Sequence, residues 1–319
     1  MLRKILIGVL VIAAGLGVTF YVAAVPDVPA SELDQRYGTP PSQFLTLSSG
    51  TRVHYRDRPG PEGAPTIVLV HGSNASLLTW EPWAARFQGR LRVVSVDLPG
   101  HGLTGATVEQ DYSIAGMDRF LDAFTRKLGL TQPFMLAGNS MGGQVAWRFA
   151  LAYPDRVSKL ILVDAGGAVA PGVDGPVPLA FRIARTPVLG NIVRFVTPRS
   201  LIESGLRSAF WDQSLVTPAM IDQYWELNRR AGTRDATATR FALPYDPEPA
   251  TRLGQLQMPV LILWGREDKL IPVHSAEVFK AALPQAQLVV YDQCGHVPME
   301  ERAEQSAADV LAFAGSGTS

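Results

Sequence analysis

The chain has 319 residues, 47% of them hydrophobic, enough to build one large domain core. Its 29 basic residues equal its 29 acidic ones, so it presents no net basic footprint for nucleic acid. The single cysteine, Cys294, excludes an intramolecular disulfide. No zinc-ligand spacing, P-loop or G-x-G-x-x-G pattern occurs, so neither a metal nor a cofactor is expected.

Arg3 and Lys4 precede Ile5–Val25, a run of 21 residues without a charge. At about 1.5 Å per helical residue this spans a hydrocarbon core of about 30 Å. The reading is a single membrane-spanning helix over residues 1–25. Positive charges ahead of it place the N-terminus in the cytoplasm and the rest of the chain outside. The rival is a cleaved signal and a secreted protein, with Val22-Ala23-Ala24 as the cleavage site, but the apolar run is long for a signal. Residues 26–41 are rich in proline and polar groups and read as a linker.

Phe44–Leu47 and Arg52–Tyr55 alternate as an antiparallel pair around Ser49-Gly50. Buried strands then recur at Thr66–Val70, Arg92–Val96, Phe134–Ala137, Lys159–Val163, Pro259–Trp264 and Gln287–Tyr291. Helix-like segments separate them, the clearest being Ser113–Leu128, where Ile114, Met117, Phe120, Leu121, Phe124 and Leu128 mark one apolar face. This rhythm predicts an α/β fold with a mostly parallel, doubly wound sheet. The interval from Gly166 to Gln257 is too long for one connection. Val177–Arg185, Arg199–Phe210 and Pro218–Arg230 within it read as helices. Residues 167–248 are therefore expected to form a helical cap inserted after the sixth strand. Residues 42–166 and 249–314 make up the catalytic domain.

Gly138-Asn139-Ser140-Met141-Gly142 fits G-x-S-x-G between a strand and a helix. Such a turn lifts the serine hydroxyl clear of the backbone and puts it at a helix N-terminus, where developing negative charge is favoured. A serine nucleophile needs a base and an acid that orients the base. Asp268 follows the strand ending at Trp264, and His296 follows the last strand. The candidate catalytic set is thus Ser140, His296 as base, and Asp268. Glu267 and Asp164 remain alternative acids. Met141 N–H and a loop amide after Val70 are the candidate oxyanion donors. Ser73 is preferred over Asn74, while His71 braces the loop. Asn74, Leu77, Val297 and Pro298 neighbour these positions and are candidate pocket residues, alongside Met141. Cys294 reads as a buried structural thiol.

With the His71-Gly72 turn, Asp97-Leu98-Pro99-Gly100-His101-Gly102, the Ser140 elbow, Trp264-Gly265-Arg266-Glu267-Asp268 and Gly295-His296 in place, the chain resembles the α/β-hydrolase fold family in its capped branch. The resemblance covers about residues 42–314. It implies acyl transfer through a Ser-His-Asp triad. Dehalogenases and epoxide hydrolases of this fold use an aspartate nucleophile, which Ser140 replaces. The run Gly138–Gly143 is similar to carbon–carbon hydrolases of meta-cleavage products. Those usually carry a glycine-rich oxyanion loop and a tryptophan after the catalytic histidine. Here Ser73-Asn74-Ala75-Ser76 and Val297-Pro298 stand instead. Hydrolysis of a small, apolar carboxylic ester is the first reading, carbon–carbon hydrolysis the second, and a membrane-tethered binding protein the third. The sequence leaves the oligomeric state open.

Overall fold

In the computed structural model, residues 24–169, 186, 195, 197–244 and 248–316 are described. The strands of the main sheet are β1 (Ser42–Thr46), β2 (Arg52–Arg58), β3 (Thr66–Val70), β4 (Arg92–Val96), β5 (Phe134–Asn139), β6 (Val157–Val163), β9 (Val260–Gly265) and β10 (Gln287–Tyr291). The short β7 (Ala168–Val169) and β8 (Glu248–Pro249) pair with each other at the edge of the cap region. The main sheet runs β1-β2-β4-β3-β5-β6-β9-β10. β1 with β2 and β2 with β4 are antiparallel, and every other pairing is parallel. All eight strands read from the sequence are present.

The central strands are mostly apolar because helices cover both faces. Period-two alternation divides their side chains between two cores. Val68 and Val70 of β3 face Trp147 and Phe124, while Ile67 and Leu69 face Trp83 and Phe87. α3 (Ile114–Lys127), α4 (Met141–Ala152) and α8 (His274–Ala282) cover the first face. The predicted apolar face of α3 is buried at Met117, Phe120, Leu121 and Phe124, and Ser113 caps it by accepting the Gly116 N–H. α2 (Glu81–Phe87) and α10 (Ala303–Gly315) cover the second face, tied by Trp83 Nε1, which donates to Ser306 Oγ at 2.8 Å.

Between β6 and β9 the described cap residues form α5 (Arg199–Ala209), α6 (Pro218–Asn228) and α7 (Thr233–Ala242). α5 and α6 match two of the predicted cap helices, and α7 was not anticipated. The third predicted helix, Val177–Arg185, lies outside the described residues.

The stretch read as a linker contains a helix, α1 (Ala30–Tyr37), with Leu33 fully buried. Val28 and Leu33 pack with Leu103 and Leu227. Val28 N–H donates to Arg229 O at 2.7 Å, Ala231 N–H returns to Val28 O at 3.0 Å, and Asp27 pairs with Arg234 at 2.7 Å. The prolines mark the ends of this segment rather than a coil: Pro29 sits at the N-cap of α1, where its missing N–H costs nothing. The chain leaving residue 24 is thereby pinned against the cap. The apolar run Ile5–Val25 falls outside the described residues except for Ala24 and Val25. Among the described residues no helix is long and apolar enough to cross a membrane, so the expected N-terminal transmembrane helix has no structural support.

Candidate active site

The candidate groups converge at the carboxyl ends of β3, β5, β6, β9 and β10, where this architecture collects its ligands. Ser140 sits between β5 and α4 with φ 56° and ψ −119°. A non-glycine residue in that region is strained and is held there by its surroundings. Ser140 N–H donates to Val163 O at 3.0 Å, and Ser140 O accepts from Gly166 N–H at 2.9 Å. The flanking glycines are steric necessities. A Cβ on Gly142 would stand 2.2 Å from Val70 O, and one on Gly138 would stand 2.1 Å from Gly142 O. The loop after β3 also runs close to the elbow, since a Cβ on Gly72 would meet Ser140 Cβ at 3.1 Å.

His296 is buried, and its Nδ1 lies 2.6 Å from Asp268 Oδ2. Asp268 Oδ1 accepts from Leu270 N–H at 2.7 Å and Ile271 N–H at 3.0 Å, which fixes the carboxylate. Glu267 is turned elsewhere: its Oε2 accepts the Cys294 N–H at 2.9 Å. Asp164, at φ 43° after β6, lies against Asp268 instead. Its Oδ1 accepts Gly265 N–H at 2.9 Å, and its Oδ2 has no hydrogen-bond partner among the described residues. Burial, then the neighbouring Asp268 charge, push Asp164 well above the usual carboxylate range, which favours its protonated form. Ligand atoms of Asp164, Asp268 and His296 come within 4.8 Å of one another. A cation between His296 and Asp268 would hold N and O about 2 Å from itself on separate bonds. Their 2.6 Å contact is a hydrogen bond and leaves no room for it.

The oxyanion candidates share one wall. Met141 is the first residue of α4, so its N–H has no acceptor within the helix. Ser73 and Asn74 lie in the facing loop, with Asn74 at φ 59°. His71 braces that loop as expected. One ring nitrogen takes the Leu98 N–H at 3.0 Å, so the other carries the proton donated to Gly72 O at 2.7 Å. Burial lowers the His71 pKa, which keeps it neutral. Asp97 anchors the same loop by accepting from Leu77 N–H and Leu103 N–H, each at 2.7 Å, with His54 Nδ1 at 2.6 Å. Of the pocket candidates, Asn74 is half-buried. Val297 and Pro298 are buried at the start of α9 (Pro298–Glu301). Leu77 has no exposed surface, and its N–H is spent on Asp97. It braces the loop rather than lining open space, which corrects the pocket reading. Cys294 is fully buried and burial raises its thiol pKa, as suits a structural role.

The sequence reading missed the cap's part in the site. Arg240 on α7 reaches Ser73 Oγ at 2.8 Å, Met141 Sδ at 2.9 Å and Asn74 Oδ1 at 3.2 Å. Asn228 on α6 donates to Asn74 O at 2.8 Å. His296 N–H donates to Ala209 O, the last residue of α5, at 2.7 Å. Glu301 takes the Gly295 N–H at 2.7 Å on one oxygen and the Trp211 and Asp212 N–H groups at 2.8 and 2.9 Å on the other. Glu300 accepts the Thr79 hydroxyl at 2.5 Å and faces the Tyr224 hydroxyl at 3.4 Å. Burial pushes its carboxyl up to about 7. The cap is sewn to both the loop after β3 and the loop that carries His296, so its position and the site geometry are one structure.

Comparison with known proteins agrees with this architecture. The sequence profile of the alpha/beta hydrolase fold matches residues 65–303. A 2-hydroxy-6-oxononadienedioate/2-hydroxy-6-oxononatrienedioate hydrolase of Pseudomonas putida is 30% identical, covering 85% of this chain and 96% of that protein. A meta-cleavage product hydrolase of Pseudomonas fluorescens superposes with a TM-score of 0.73 at 22% identity, covering 85% of this chain and 96% of that one. A bacterial membrane phospholipase A superposes with a TM-score of 0.70 at 27% identity, covering 98% of each chain. A G-x-S-x-G elbow, a histidine on a carboxylate at the strand ends, and these likenesses lead to one conclusion: the chain is an enzyme of the α/β-hydrolase fold family.

Proposed function

We propose that the protein is a serine hydrolase that cleaves a bond to a carbonyl carbon through an acyl-enzyme. The observation that carries this is the 2.6 Å contact of His296 Nδ1 with Asp268 Oδ2, in the family whose elbow holds Ser140. Ser140 Oγ attacks the carbonyl while His296 takes its proton. Met141 and Ser73 amides hold the oxyanion. His296 then delivers the proton to the leaving group, and a water, deprotonated by the same imidazole, releases the acyl group and restores Ser140. Asp268 holds the imidazole tautomer throughout.

The first reading of the scissile bond is carbon–carbon, in a substrate akin to a dienoate diketone. Its support is the set of relatives named as 2-hydroxy-6-oxononadienedioate or 2-hydroxy-6-oxo-6-phenylhexa-2,4-dienoate hydrolases, at 28–31% identity over most of both chains. This reverses the order in which sequence alone ranked the two chemistries. The second reading, ester hydrolysis, keeps specific support. The phospholipase likeness extends over 98% of the chain, and Val297 rather than tryptophan follows His296. Parallel kcat/KM measurement on a dienoate diketone and on p-nitrophenyl esters of graded length decides between them. Preference for the diketone supports the first reading, and preference for an ester overturns it.

We further propose that Ile5–Val25 tethers the enzyme to a membrane with the catalytic domain outside the cytoplasm. Its support is the uncharged run behind Arg3 and Lys4. Protease added to spheroplasts, whose cytoplasmic membrane is intact, should then digest the domain, and full protection would contradict the orientation.

A further inference from the structure

Residues 25–38 lie across the junction of cap and core and grip both. Toward the cap, Val28 exchanges backbone hydrogen bonds with Arg229 and Ala231, Asp27 pairs with Arg234, and the Tyr37 hydroxyl donates to Glu226 Oε2 at 2.7 Å. Toward the core, Asp34 pairs with Arg52 of β2 at 2.9 Å, and the Ser42 hydroxyl of β1 donates to Tyr37 O at 3.1 Å. Between these grips Val28 and Leu33 share a small apolar cluster with Leu103 of the core and Leu227 of α6, and Leu78 packs against it. This cluster is separate from the two that flank the sheet. The gripped residues Glu226, Leu227 and Arg229 surround Asn228, whose amide donates to Asn74 O at 2.8 Å in the loop facing Ser140.

We infer that residues 25–38 are a strap that holds the cap down over Ser140, and that the cap opens by release of this strap, with α6 and α7 lifting from the 73–76 loop. The two sides of the cap are unequally held. On the α5 side Glu301 carries three amide hydrogen bonds, and the histidine loop packs so closely that a Cβ on Gly295 would stand 2.3 Å from Ala209 O. On the strap side the ion pairs are partly exposed and so contribute little. What holds there is the burial of a few apolar side chains, and a segment held by few buried contacts opens more readily than the sheet. The inference goes beyond the serine-hydrolase reading and holds for either scissile bond; only its access readout uses Ser140 as nucleophile.

The test is amide hydrogen exchange on the full chain. In the unmodified protein residues 25–38, α6 and the 73–76 loop should exchange as one unit, faster than β5, β6 and β9. The double variant Asp27→Asn/Tyr37→Phe cuts two contacts between strap and cap and spares the apolar cluster. It should speed exchange in α6 and the loop by about five-fold or more with the strands unchanged, and Leu33→Ala should speed it further. Labelling of Ser140 by a small and a bulky fluorophosphonate reads access. The ratio of bulky to small rates should rise by about three-fold or more in the same variants, and taking the ratio cancels any change in Ser140 reactivity. Independent exchange of strap and α6 in the unmodified protein overturns the inference without any variant having to fold. Faster exchange confined to residues 25–38, a rise shared equally by the sheet, or an unchanged rate ratio overturns it as well. Failure of the serine-hydrolase reading shows separately, as no labelling of the unmodified protein by the small reagent, and leaves the exchange result standing.

Discussion

Asp164 and Asp268 are two buried carboxyl groups in contact, one at the exit of β6 and the other in the loop after β9. Asp268 takes hydrogen bonds from two backbone amides and from His296, whereas Asp164 takes one, from Gly265. Burial and the neighbouring Asp268 raise the Asp164 pKa and favour its protonated form, with the proton on Oδ2, the oxygen that takes no amide N–H. Asp164→Asn reproduces both the acceptor toward Gly265 and a donor toward Asp268. It should keep kcat/KM within about five-fold, whereas Asp164→Ala should cost about 1–3 kcal/mol of stability by orphaning the Gly265 N–H. Thermal unfolding and kcat/KM of the two variants check this, and equal damage in both contradicts the proton assignment.

Glu300 has a pH signature. Its folded pKa is raised to about 7, while an unfolded glutamate ionises near about 4.3. The fold therefore binds a proton that the unfolded chain has lost between these values. The stabilisation is whole below about pH 4.3 and is lost as pH rises towards about 7, with a limiting slope of about 1.4 kcal/mol per pH unit. Denaturant unfolding across this range should show a flatter dependence in Glu300→Gln than in the unmodified protein. Parallel curves would contradict the burial of an acidic Glu300.

Two glycines should respond in opposite directions to the same added methyl. Gly142→Ala drives a Cβ to 2.2 Å from Val70 O and 2.4 Å from His71 O, both backbone. It should destabilise the fold by about 1–3 kcal/mol or more and abolish activity, because the elbow and the oxyanion loop cannot both keep their places. Gly205, exposed within α5, meets nothing within 4 Å. Gly205→Ala should stabilise by up to about 1 kcal/mol through helix propensity. Melting temperatures of the pair test the steric account of the elbow.

Glu301 joins the cap to the histidine loop through three amide hydrogen bonds on its two oxygens. Removing the carboxylate strands the Gly295 N–H in the interior and releases Trp211 and Asp212. Glu301→Ala should lower stability by about 1–3 kcal/mol and kcat by about ten-fold or more, since His296 loses the support of its neighbour. Unchanged kcat in a folded Glu301→Ala protein would show that the histidine loop does not depend on the cap.

The sheet was legible because strands buried on both faces read as unbroken apolar runs, and Val68, Leu136 and Ile262 behave as such runs predict. The elbow was legible because it needs glycine at fixed offsets from Ser140. Asp164 was in view as an alternative acid, but its contact with Asp268 depends on β9 pairing with β6, with Val163 opposite Leu263. Strand order across that distance is not a local property. Arg240 stayed hidden because an arginine in a polar helical stretch normally faces water. Only the fold of α7 onto the loop turns it inward. α1 was missed because its helix is short and only Leu33 is buried.

Fluorophosphonate labelling of the full chain, read by mass spectrometry of the peptide containing Ser140, tests the central claim most directly. The account predicts a single adduct on Ser140, absent in Ser140→Ala and strongly suppressed in His296→Ala. A folded protein that takes no adduct at Ser140, or takes it on another residue, would contradict the assignment of Ser140 as the nucleophile.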